Sequence, residues 1–253
     1  LDERPVRLLT GETPGPQDSW PVQRPAGTPA AMKIALVSQK GGVGKSSLAV
    51  SIAWELVARG SSVLIVDGDP QGTARIASEV ATEGGRRAPT AVALGKDMCR
   101  PEHLRRMQSF DHVVIDTPAK LGDVQRAALM IADVALVPIS QSGAEVWGNT
   151  DTIALISQAQ MINTTLKGAL VFVRKLPNTA LGKRARAIFE GNDFPLLVSE
   201  TTFRVAWQEA ITAGVGVAQY APKDKAAREL RCVVDEVLAF AAGQGSEEEV
   251  VNG

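Results

Sequence analysis

Cysteine, histidine and aromatic side chains are scarce in this chain, and each shortage removes a class of function. Two cysteines, Cys99 and Cys232, in 253 residues are too few for a disulfide framework and fit a reducing compartment. Neither His103 nor His112 has a second histidine at ligand spacing, so a histidine-based metal centre is not expected. Phe, Trp and Tyr make up 4% of the residues, which argues against a nucleic-acid surface built on stacked bases. There is no apolar run of the roughly 20 residues that a membrane-spanning helix needs. A net charge of −1 excludes a polycationic chain as a whole, although the charge is unevenly placed. Between Arg174 and Arg231 ten basic residues face six acidic ones, while the tail 243–253 holds three glutamates and no base.

What remains reads as one globular core. Hydrophobic residues make up 45% of the chain and charged residues 22%, proportions of a packed domain, and open α/β sheets reach this length with a single core. Residues 1–31 carry Pro5, Pro14, Pro16, Pro21, Pro25 and Pro29 without apolar periodicity, so they are expected to form a disordered extension. They also lack the charged start and apolar block of a secretory signal. The expected division is therefore an extension over 1–31, a domain over 32–242 and a disordered acidic tail over 243–253.

The chemistry centres on residues 38–47, SQKGGVGKSS. The apolar run Ile34–Val37 reads as a strand and the spacing from Leu48 to Leu56 as a helix. A strand that turns through glycines into a helix aims backbone N–H groups and the positive end of the helix dipole at one spot, a place for phosphate. Gly41, Gly42, Val43 and Gly44 form the turn, Lys45 supplies a point charge for β- and γ-phosphates, and Ser46 offers a hydroxyl to Mg²⁺, with Ser47 beside it. Two further apolar runs end in acids: Val63–Val66 runs into Asp67 and Asp69 of DGDPQG, and Val113–Ile115 into Asp116 of DTP. In a parallel sheet these carboxyl ends face the phosphate loop. The first helix is expected over about Lys45–Arg59. Further on, Val134–Ile139 and Leu196–Val198 read as strands, and about Ala144–Met161, Thr179–Glu190 (basic) and Lys225–Phe240 as helices, the last with Leu230, Val233, Val234, Val237 and Leu238 on one face.

The usual phosphate loop has a glycine where Gln39 stands, and here an early lysine, Lys40, follows instead. The pattern KGGxGKS resembles the deviant Walker A motif of the ParA/MinD family of ATPases, DGDPQ resembles the ParA Walker A′ motif, and DTP fits its Walker B pattern. VPISQSGAEVWGNTDTIALI (residues 137–156), with Trp147, and FRVAWQEAITAGVGVAQYAPKDKAARELRCVVDEV (residues 203–237) resemble later segments of small ParA proteins. The resemblance implies a P-loop NTPase fold, doubly wound, with a mostly parallel sheet of seven or eight strands and helices on both faces. It implies ATP and Mg²⁺ as cofactors. Lys40 is then expected to reach the nucleotide of a second subunit in an ATP-sandwich homodimer. Asp69 is expected to orient the attacking water, Asp67 and Asp116 to hold Mg²⁺ with Ser46, and Ala119–Val124 to sense the γ-phosphate.

By the same resemblance Arg174, Pro177 and Asn178 lie over adenine. Nonspecific DNA is expected on Arg204, Lys223, Lys225, Arg228 and Arg231, with Lys183, Arg184 and Arg186 as a second group. The opposing reading of these cations is a solvated face with ion pairs such as Arg228 to Asp224. A ParB-like protein or cargo adaptor is expected to stimulate hydrolysis, and the chain to lie in the cytoplasm on the nucleoid. Three rivals use the same scaffold: a MinD-like regulator at a membrane, an amide-forming synthetase, and an iron–sulfur carrier of the nitrogenase iron protein type. An acidic tail does not suit anionic lipid, and Cys232 falls in the last predicted helix, far from the Walker B segment that a cluster cysteine would follow.

Overall fold

The computed structural model describes residues 31–84, 86–120, 122–141, 149–176, 185–189 and 194–243. Five runs that are apolar almost throughout become the strands β1 (Met32–Leu36), β2 (Val63–Asp67), β4 (His112–Asp116), β5 (Val134–Ile139) and β6 (Lys167–Phe172), with the shorter β3 (Thr90–Ala93) at one edge. Continuous apolar runs are what a parallel sheet covered on both faces requires. All pairings are parallel, in the order β3-β2-β4-β1-β5-β6.

Side chains alternate between the two faces. Ile34 and Leu36 of β1 join one apolar layer, Ala35 and Val37 the other. The first layer is closed by α1 (Lys45–Ala58), α2 (Thr73–Glu83), α6 (Ala206–Thr212), α7 (Val217–Tyr220) and α8 (Lys225–Ala241); the second by α3 (Pro101–Met107), α4 (Asp123–Ile131) and α5 (Thr150–Gln160). Leu230, Val233, Val234 and Val237 of α8 are buried, as their spacing predicts, while Leu238 is half-buried. The helix expected from Ala144 is described over Thr150–Gln160, and Trp147 lies outside the described residues. Of the basic helix expected over Thr179–Glu190, residues 185–189 are helical and 177–184 lie outside them.

Six strands among the described residues, where seven or eight are expected, reflect what happens beyond β6. The segment expected as a strand at Leu196–Val198 makes a single bridge, Leu170 to Leu196, and a second bridge joins Lys175 to Thr202. Leu197 and Thr201 still donate to β6 carbonyls at 2.9 Å, but the amides between and just beyond them are diverted to α8. Val198 N–H and Ser199 N–H both donate to the Glu236 carboxylate at 2.7 Å, and Thr202 N–H donates to Glu229 at 2.9 Å. Two glutamates two turns apart thus hold this edge segment by its backbone, and with it the wall of the pocket described below.

The chain crosses from one side of β1 to the other between β4 and β5, so β1 opens at its carboxyl end into the crevice where open α/β sheets bind ligands. Leu36, Asp67 and Asp116 are register partners along one row of that edge.

Replacing Glu236 with Ala removes the acceptor of two charge-assisted bonds and is expected to lower stability by about 2–3 kcal/mol, with Gln, which keeps one acceptor oxygen, losing less. Urea denaturation of the two variants measures both.

Candidate functional site

The phosphate loop leaves β1 through Val37 and Ser38, both buried, and Lys40 N–H returns to the Ser38 hydroxyl at 3.2 Å. Gly44 is the N-cap of α1 with φ 102°, a left-handed conformation that costs glycine nothing. The helix starts with neither a side-chain cap nor an acidic residue in its first turn, so its first amides are left to an anion. The two lysines part here. Lys45 is 7% exposed, whereas Lys40 is exposed.

Lys45 Nζ lies 3.7 Å from Asp116 Oδ1, at the level where β1 and β4 end. Asp116 is fully buried, and the nearby Ser46 hydroxyl does not reach either of its oxygens in full hydrogen-bond geometry, which leaves both with open lone pairs. Burial pushes its carboxyl up to about 6, against the pull of the Lys45 ammonium and the Ser46 hydroxyl, and Asp67 and Asp69 push the same way as burial. A buried carboxylate with open lone pairs, next to a hydroxyl, is a donor set for a hard cation, and Mg²⁺ fits it. Among the described residues no group of three or more His, Cys, Asp or Glu side chains could hold a metal.

Asp67 is placed differently. Its Oδ1 accepts from Asp69 N–H at 3.1 Å and its Oδ2 from Arg75 N–H at 2.9 Å, so it closes the DGDPQG turn and caps α2. Burial raises its pKa, and the amides of Arg75 and Asp69 lower it. Any hold on Mg²⁺ would act from these already engaged oxygens. Asp69 is half-exposed, with Oδ1 accepting from Gln71 N–H at 3.0 Å, an Asx turn that fixes the carboxylate at the sheet edge.

Beside the loop, a cavity of about 60 Å³ is lined by Gly44, Ser47, Leu48, Val173, Arg174, Thr201, Phe203, Arg204, Trp207 and Gln208. Arg174, expected over adenine, spans its mouth: Nη1 donates to the Gly42 carbonyl at 2.7 Å and the guanidinium lies 5.3 Å from the centre of the Phe203 ring. Arg174 adopts φ 54°, in a region sparsely used by side-chain-bearing residues. Pro177 and Asn178 lie outside the described residues. Sequence reading misses Phe203 and Trp207, whose indole N–H is buried without an acceptor; two aromatic residues within five positions, in a chain so poor in them, are the signal that could have found them.

The expected DNA residues divide. Arg186 is tied to Glu200 and to the carbonyls of Leu197 and Val198. Arg204 pairs with Asp224 at 3.8 Å, Lys225 with Glu229 at 3.7 Å and Arg231 with Glu55 at 3.7 Å. The pair weighed between Arg228 and Asp224 does not form: Asp224 is the N-cap of α8, accepting from Ala226 N–H at 2.7 Å, and turns to Arg204. Lys223 and Arg228 are exposed and carry no ion pair among the described residues. Lys183 and Arg184 lie outside them. Cys99 donates to the Ala127 carbonyl at 3.2 Å and burial raises its pKa, Cys232 is exposed, and both are free thiols. No described helix is long and apolar enough to cross a membrane.

The CobQ/CobB/MinD/ParA nucleotide binding domain family matches residues 34–227. The maintenance of carboxysome distribution protein A of Halothiobacillus neapolitanus is 32% identical over 213 residues, spanning 82% of this chain and 97% of that one. The chromosome-partitioning ATPase Soj of Thermus thermophilus is 28% identical over 240 residues, spanning 82% and 95%. In three dimensions, cobyrinic acid a,c-diamide synthase of Mycobacterium smegmatis, solved with an ATP analog and magnesium, superposes with a TM-score of 0.68 at 22% identity over 83% of this chain and 95% of that one; at that identity the likeness concerns the fold.

Because Asp116 has a raised pKa, proton binding favours the folded, Mg²⁺-free protein. The stability this contributes is complete below the ordinary value of 3.8 and is lost as pH rises through about 6. Asp116→Asn is therefore expected to stabilise the nucleotide-free protein by roughly 2–3 kcal/mol at pH 8 and not below pH 4, while abolishing hydrolysis. Thermal melts of both proteins across pH, beside an ATPase assay, check this.

Proposed function

Since the chain belongs to the CobQ/CobB/MinD/ParA nucleotide-binding family and is a P-loop ATPase that uses ATP and Mg²⁺, we propose that it is a positioning ATPase of the ParA kind. In this reading Mg-ATP joins two copies into a sandwich, and the paired form holds DNA without regard to sequence. A ParB-like or adaptor protein on the cargo then stimulates hydrolysis and releases the grip. The cargo is of the class suggested by its relatives, a DNA molecule or a protein assembly such as the carboxysome. Association with the nucleoid follows from the DNA contact.

The observation that carries the proposal is the opposite setting of the two loop lysines. Lys45, buried against Asp116, suits the phosphates of its own subunit. The exposure of Lys40 in the same loop supports a role toward the phosphates of a second copy. Phosphoryl transfer asks for positioning and charge neutralisation more than for a strong base. The α1 amides and Lys45 hold the phosphates, Asp69 orients water, and Lys40 adds positive charge in trans. Asp116 and Ser46 would hold Mg²⁺, which when bound would supply the remaining charge neutralisation for the triphosphate. Arg174 and the Phe203 wall suit the nucleoside side.

Lys45→Ala should lose nucleotide binding. Lys40→Ala should keep it within about threefold while losing most of the hydrolysis, because the interaction it removes belongs to the paired state. Nucleotide titration, and light scattering with a non-hydrolysable triphosphate and Mg²⁺, separate the two; normal dimerisation and turnover in Lys40→Ala would sink the trans role.

For DNA, the unpaired cations are the better targets. Lys223→Ala and Arg228→Ala should each reduce the slope of log affinity against log salt by about 2 for the paired form, one phosphate contact per copy, with ATP binding unchanged. An unaltered slope in both would move the DNA surface elsewhere.

A further inference from the structure

Gln125 lies on α4, outside every residue assigned so far, and it is fully buried. Its side-chain amide donates to two carbonyls at once: Pro118, two residues past Asp116, at 2.7 Å, and Ser38, where the phosphate loop begins, at 3.3 Å. Its Oε1 is buried without a donor, so the side chain is held through its amide hydrogens alone. The next residue back, Val124, meets the third nucleotide segment. A Cβ on Gly68, in the middle of DGDPQG, would lie 2.8 Å from Val124 Cγ1 and 3.1 Å from the Asp116 carbonyl. Only glycine allows that approach. One more bond fixes the same joint, from the buried Thr117 hydroxyl to the Leu36 carbonyl at 2.7 Å.

The first turn of α4 therefore touches the phosphate loop, the DTP segment and the DGDPQG turn, and Gln125 bonds the start of the phosphate loop to the DTP segment, as the Gly68 N–H bonds the DGDPQG turn to the Asp116 carbonyl at 2.8 Å. We infer that Gln125 is a positioning residue for hydrolysis: it holds residues 117–120 in register with the phosphate loop, so that Asp116 and Asp69 meet the same terminal phosphate. It touches no nucleotide atom. It acts through the backbone carbonyls of Ser38 and Pro118, and substrate binding through Lys45 and the α1 amides does not depend on it. A buried apolar side chain of the same volume would pack there equally well and would leave the two carbonyls without donors.

The inference rests on ATP hydrolysis at this site, so turnover by the unaltered protein is measured first; none at all would remove that reading. Gln125→Leu is expected to lower kcat by at least about tenfold while leaving KM for ATP and the Kd for ADP within about threefold, the pattern of a contribution made after binding. Unchanged kcat overturns the inference, as does an equal loss of ADP affinity, which would mark a merely structural residue. Gln125→Glu tests it by pH and also covers a Leu variant that fails to fold. Its carboxyl can donate to Pro118 only when protonated, so its rate relative to the unaltered protein is expected to rise several-fold from pH 8 to pH 6. A flat ratio overturns it.

Discussion

An ammonium and a carboxylate, both withdrawn from water and 3.7 Å apart where β1 and β4 end, are the interaction on which this structure depends. A buried ion pair is poor support for a fold, because desolvation of both charges offsets much of their attraction. Here the imbalance is plain, since burial wins over Lys45 in setting the Asp116 pKa. The sheet therefore carries a cost at its ligand edge, which on the proposed reading is relieved when phosphate meets Lys45 and a cation meets Asp116. A site of this kind couples nucleotide binding to stability by mass action.

Keeping that pair in place constrains much of the rest. The register that sets Leu36, Asp67 and Asp116 side by side requires three adjacent strands buried on both faces, and their runs of Val, Ile and Leu supply them. Asp67, the second acid of the row, is made a structural group: it closes its own turn and starts α2. That leaves Asp116 as the acid of the pair with open lone pairs. The difference between two carboxylates one strand apart is a difference in hydrogen-bond supply, and it divides their roles.

Much of this was legible in the chain. Strand, glycine turn, helix and acid-ended strands announce themselves by local periodicity and punctuation, and β1, α1, β2, β4 and β5 fall within a residue or two of where the pattern puts them. What was not legible depends on distant partners. α2 went unassigned because its cap comes from Asp67, eight residues before the amide it satisfies. The strand expected near Leu196 stops at one bridge because the next amides, of Val198 and Ser199, go to Glu236 on a helix some 38 residues later. The Arg228 to Asp224 pair has ideal helical spacing, yet Asp224 has the extended backbone of an N-cap, φ −69° and ψ 157°, and its carboxylate folds over the helix start. Spacing rules hold only between residues that are both inside the helix.

The same accounting bears on how a chain of net charge −1 could hold DNA at all. Most of the described cations in the C-terminal third are tied to carboxylates, and a tied cation contributes little to phosphate neutralisation. Of the described residues expected on DNA, two are untied, Lys223 and Arg228; they give a single copy a small footprint, and affinity that depends on counterion release grows with each added phosphate contact. Joining two copies doubles the footprint without any new residue, and two weak sites on one rigid body bind far more tightly than either alone. On the proposed reading, the sparseness of free charge is what makes pairing matter: a more basic surface would hold DNA in the monomer too, and nucleotide would no longer decide when the grip closes.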